Sequence, residues 1–158
     1  MSMERKGKLS AQSSLELLLT LSFGLIILLP IVVFAFIQIS TSSSTLSVTE
    51  AQQAADKLAA AATEVATQGP PAKQVVIVQI PPNIQGIYVG SLNGAVGHEI
   101  IFNVSTNAGI STVIAYTPAN ISGSLSNMES TATYMVNITA MSSCPSNPAI
   151  SCTYLKVQ

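Results

Sequence analysis

Charge is what this sequence has least of. Lys and Arg number 6 and Asp and Glu 7, so charged residues make up 8 % of 158 and the net charge is -1, against roughly 25 % charged in an ordinary soluble domain. There is no tryptophan, and His98 is the one histidine. With neither a basic field nor basic residues interleaved with aromatics, nucleic acid is excluded as a partner class. Two cysteines, Cys144 and Cys152, lack the companion ligands that a zinc site needs. No phosphate loop, dinucleotide fingerprint or nucleophile elbow appears. The titratable residues of the C-terminal part, Lys73, His98, Glu99, Glu129 and Lys156, are scattered. His98 beside Glu99 invites a catalytic pair, but neighbours on a strand point to opposite faces, so His98 reads as a solvated strand-edge residue. The chain is therefore read as a non-enzyme without cofactor or metal. What replaces charge is Ser, Thr, Asn and Ala, a composition common in extracellular walls and fibres.

What the sequence does have is one long apolar run. Residues 12–39 read QSSLELLLTLSFGLIILLPIVVFAFIQI, and no residue from 17 to 37 is charged. About 21 residues at about 1.5 Å each cross a hydrocarbon core of about 30 Å as a helix. Arg5, Lys6 and Lys8 precede the run and hold three of the six positive charges, which predicts a cytoplasmic N-terminus and a translocated remainder. A cleaved secretory signal and an uncut anchor are the two simpler readings. The run exceeds the 7–15 residues of a signal-peptide core, and no clear A-x-A cleavage site follows it.

Glu16 sits at the start of the run. A carboxylate at the centre of a membrane helix costs roughly 2.5–3.5 kcal/mol, and less near the interface, so it calls for a partner. A cut between Ala11 and Gln12 would create an α-amine four residues before it, about one helical turn away. Pro30 lies inside the run, where it removes a backbone hydrogen bond; it reads either as a tolerated membrane-helix proline or as a kink that helps helices repack.

Gln12, Ser14, Glu16 and Leu17 match the Q-x-S-x-E motif of the archaeal class III signal peptide, so the chain resembles type IV pilins that carry this leader. The resemblance implies that a prepilin peptidase removes residues 1–11, cutting at Ala11/Gln12. It implies that the apolar helix is kept, first as a membrane anchor and then as a filament core. The family often has a basic residue and Gly before the Gln, whereas Ser10 and Ala11 stand here, with Lys6-Gly7 further upstream. A helix ending in Gly-Pro-Pro, then a short apolar strand and a second proline pair, extends the likeness over residues 54–71 and 75–82, less diagnostically.

Residues 40–69 predict a stalk helix, weak over the Ser/Thr-rich 40–47. Val48, Ala51, Ala55, Leu58, Ala62 and Val65 recur at alternating three and four spacing, an apolar stripe on one face. The stripe is expected mainly to cover the chain's own sheet, with inter-subunit packing sharing it. Gly69-Pro70-Pro71 predicts the stop.

From residue 70 to 158 the pattern is β. Strand-like runs occupy 74–80, 87–91, 98–105, 111–116, 121–125, 131–141 and 153–157, with turns at Asn93-Gly94 and around residues 107–109. The fold expected is α+β: a long N-terminal transmembrane and stalk helix, then a small antiparallel β-sandwich head of six or seven strands. In a translocated head Cys144 and Cys152 are expected to form a disulfide. Asn103-Val-Ser105, Asn120-Ile-Ser122 and Asn137-Ile-Thr139 are N-glycosylation candidates. The function expected is a structural subunit of a type IV pilus-like filament whose partners are identical or related pilin subunits, with Glu16 setting register against a neighbour's N-terminal amine. The alternatives are a monomeric membrane-anchored binding or envelope protein, and a minor tip adhesin.

Overall fold

In a computed structural model of the chain, the described residues are 3–92, 95–128 and 130–158, with side chains described from residue 14. The side chains of Ala11 and Gln12, the Asn93-Gly94 turn and Glu129 lie outside the described residues. Helix α1 spans Met3–Gln68 and includes Pro30. The strands are β1 (Lys73–Gln79), β2 (Ile84–Gly90), β3 (Gly97–Thr106), β4 (Gly109–Ser124), β5 (Thr133–Met141) and β6 (Cys152–Val157). The chain divides into two compact units, Met1–Ser42 and Ser43–Gln158.

The described residues of the first unit are helix alone. Every described side chain from residue 14 to 42 is exposed, including Leu17, Ile26, Val33 and Phe36, which is 77 % exposed. A helix satisfies its own backbone groups, which is why such a segment can sit in an apolar surround. Two of its hydroxyls follow the same rule: Thr20 Oγ1 donates to the carbonyls of Glu16 and Leu17 at 3.0 and 2.9 Å, and Thr41 Oγ1 to that of Ile37 at 3.0 Å.

The Ser/Thr-rich stretch 40–47 read as weak is helical, and in the second unit α1 ends where the Gly-Pro-Pro signal predicts. Gly69 takes φ +71°, a left-handed conformation that favours glycine. The expected stripe faces the sheet. Ala51, Ala55, Leu58, Ala62 and Val65 share one core with Val76, Val78, Ile100, Phe102, Ile121, Ile138 and Leu155. Alanines at most of these positions let helix and sheet approach closely. Leu58 and Phe102 are fully enclosed; burying a side chain of this size stabilises by roughly 1.5–3 kcal/mol.

The head is not an antiparallel sandwich. All six strands lie in one sheet, ordered β1-β5-β6-β4-β3-β2, and β4 pairs with β6 in parallel. The alternation seen in β1 and β5, such as exposed Val75 and Ile77 against buried Val76 and Val78, demands only that one face be covered. Here the Ala-rich half of α1 covers it, so a second sheet is not required. The last strand enters between β5 and β4 and hydrogen-bonds on both sides. Close approach there requires Gly123, where an added Cβ would collide with the Leu155 carbonyl oxygen.

Two predicted runs, 111–116 and 121–125, merge into the 16-residue β4. Pro118 lies between the two runs. Proline lacks an N–H and is tolerated in a strand at an irregularity. It sits where the β3 register shifts, between Glu99↔Tyr116 and Gly97↔Ile121, and where β4 begins to pair with β6.

Candidate functional site

The feature available for function in the first unit is the apolar helical surface itself. By length and composition α1 has a segment able to cross a membrane, with none of it buried. Glu16 is exposed at its N-terminal end, with its carbonyl taken by Thr20. Pro30 lies within the segment.

In the second unit the polar groups tie elements together. Lys57, the one cation of the stalk stretch, donates Nζ–H to the Ile77 carbonyl at 2.7 Å. Because β1 has a neighbour on one side only, this bond occupies an acceptor on an edge strand, a device that discourages pairing with other chains. Beside it, an open cleft of about 250 Å³ is lined by Glu50, Gln53, Ala54, Lys57, Val78 and Gln79. Its one cation is already engaged with Ile77. Thr63 and Thr117 hydroxyls meet at 2.8 Å. Thr63 Oγ1 also donates to the Ala59 carbonyl and Thr117 Oγ1 accepts from the Ala119 N–H, so one line of hydrogen bonds joins α1 to β4. Sequence reasoning missed these ties. A lone cation in an Ala-rich helix was the available signal for Lys57; the threonine pair is 54 residues apart and left none.

Cys144 and Cys152 are bonded, with Cα atoms 5.3 Å apart, so both sulfurs are consumed and no thiolate pair is left for a metal. Among the described residues there is no cluster of His, Cys, Asp and Glu able to hold a metal ion. The loop between the cysteines is held by Cys144 N–H to the Ile150 carbonyl at 3.0 Å and Asn147 N–H to the Cys144 carbonyl at 3.1 Å. It is joined to β4 through Ser146 Oγ, 3.1 Å from Ser122 Oγ.

His98 and Glu99 are both exposed. His98 is on β3, the second strand from the edge, not on an edge strand. Its Nδ1 lies 3.0 Å from the Ala119 carbonyl and its ring 6.0 Å from that of Tyr116. A backbone carbonyl and a tyrosine ring are thus the neighbours that position the imidazole.

The three sequon asparagines alternate with buried residues of the α1-covered face. Asn103 lies between Phe102 and Val104, Asn120 before Ile121, and Asn137 between Val136 and Ile138. All three therefore belong to the opposite face of the sheet. Asn120 is exposed, while Asn103 and Asn137 are half-buried. Asn103 Oδ1 accepts from Thr112 Oγ1 at 3.2 Å and Asn137 Oδ1 from Thr139 Oγ1 at 3.5 Å. The sites are thus spread over β3, β4 and β5 and are not brought to one point. No protein-family model, curated protein or solved structure matches the chain.

Proposed function

We propose that the protein is a structural subunit of a type IV pilus-like surface filament, assembled through the apolar part of α1 after a prepilin peptidase removes residues 1–11. The single observation that carries this reading is an apolar helical segment whose side chains are exposed from Ser14 to Ser42, opened by Gln12-x-Ser14-x-Glu16. Such a surface requires an apolar surround. In the membrane lipid supplies it; in a filament the same segments of sister subunits do. An α+β chain in which the helix continues onto a sheet and covers one face of it is consistent with a pilin-like fold.

In this account Arg5, Lys6 and Lys8 keep the N-terminus cytoplasmic and residues 70–158 emerge outside. In an apolar bundle the Glu16 side chain meets the α-amine that cleavage creates on a neighbouring subunit. A charge buried without a partner is strongly unfavourable, so the pair fixes how far one helix slides along the next. The peptidase, the membrane and copies of related subunits are the partners implied, and adhesion through the heads is the role.

Electron microscopy of material sheared from the producing cells tests the reading. Fibres containing this chain are expected, and Glu16→Ala is expected to leave cleaved subunits in the membrane with few fibres. A membrane-anchored monomer would shed no fibres, and normal assembly of the Glu16 variant would remove the register role.

A further inference from the structure

The three sequons differ in one respect that the strand pattern alone does not reveal. An N-x-[ST] acceptor needs both the asparagine amide and the hydroxyl two residues later. At Asn120 these two groups have opposite fates. Asn120 is exposed, on the irregular part of β4 where residues 117–120 fall between the registered pairs Glu99↔Tyr116 and Gly97↔Ile121. Ser122, which completes its motif, is only 3 % exposed, and its Oγ is 3.1 Å from Ser146 Oγ. Ser146 belongs to the loop that the Cys144–Cys152 bond closes, and its Oγ lies 3.6 Å from Cys144 Sγ.

We propose that Asn120 is an N-linked saccharide acceptor that is open only until the Cys144–Cys152 loop closes over Ser122. In the step, Asn120 Nδ2 bonds to the anomeric carbon of a saccharide carried on a lipid phosphate. The anomeric C–O bond to that phosphate breaks, the lipid phosphate leaves with the electron pair, and one amide proton passes to solvent. Disulfide formation and modification therefore compete for the same stretch of chain. Asn103 and Asn137 are not under this control, because the hydroxyls that complete their motifs, on Ser105 and Thr139, are half-buried on the open face, and Thr139 Oγ1 donates to Asn137 Oδ1 within its own motif. A sugar at Asn120 adds bulk and hydration to a head with little charge. The inference rests on the reading of the head as translocated, where lipid-linked donors act.

The test uses the full chain in detergent, disulfide-bonded or reduced with dithiothreitol. Each form is incubated with membranes containing an oligosaccharyl transferase and a lipid-linked oligosaccharide, and site occupancy is read by peptide mass spectrometry. The ratio of Asn120 to Asn137 occupancy is expected to rise several-fold on reduction, and C144S/C152S is expected to give the reduced pattern without reductant. Ser122→Ala should abolish acceptance at Asn120 in both forms. The proposal is overturned if reduced protein carries no sugar at Asn120, or if the ratio stays within the scatter between replicates. Reduction that unfolds the whole head raises both sites alike and leaves the ratio unchanged, which also overturns it. Since donor and transferase are supplied in the assay, failure here closes the acceptor proposal alone and leaves the filament reading to the N-terminus of the protein made in cells.

Discussion

Thr63 on α1 and Thr117 on β4 join helix to sheet through hydroxyls 2.8 Å apart. Thr117 is fully buried. Its proton goes to Thr63, because Thr63 spends its own on the Ala59 carbonyl, while Thr117 Oγ1 takes the Ala119 N–H. Thr117→Val keeps the shape but breaks two of these bonds and strands the Ala119 N–H, which predicts a loss of about 1–3 kcal/mol. Thermal unfolding of the full chain in detergent should show a midpoint lower by several degrees, with Thr117→Ser much closer to wild type. An unchanged midpoint for the valine variant would show that the hydroxyl line adds nothing.

Lys57 guards β1. With its Nζ on the Ile77 carbonyl beside exposed Val75 and Ile77, it covers part of an edge that would otherwise template another strand. Lys57→Ala should leave the secondary structure intact and increase concentration-dependent association of the protein in detergent, read by light scattering. Scattering equal to wild type across concentrations would mean that the edge is protected by other means.

The Cys144–Cys152 bond closes a short loop of sequence separation 8. On loop-closure entropy such a crosslink stabilises by about 2.5 kcal/mol. Its reduction should lower the denaturant midpoint while leaving the β-sheet signal of the native baseline unchanged, since the core strands are held by Leu155 and Ile138 rather than by the loop. Loss of sheet signal without denaturant would assign the bond a larger role.

These elements were legible to different degrees. The stripe from Ala51 to Val65 was readable because helical spacing and burial on one face are the same fact seen twice. The strands were readable from alternation, and Gly69 from its place before Pro70-Pro71. Sheet topology was not. Strand β6 lies between β5 and β4, and nothing local to residues 152–157 states which neighbours accept it. Alternation also does not distinguish a helix from a second sheet as the covering layer, which is how a sandwich was expected where α1 lies. The runs 111–116 and 121–125 read as separate strands because the ladder is irregular between them, where β4 changes partner. For the apolar segment, length and composition were readable directly, whereas its occupant is a property of other molecules and leaves no trace in one chain's contacts.

The most direct test of the central claim is the N-terminal residue of the protein recovered from producing cells, read by mass spectrometry of the intact mature chain. The account predicts a chain that begins at Gln12 and retains the apolar helix. A chain that still begins at Met1 or Ser2, or one that has lost residues 12–39, would contradict it.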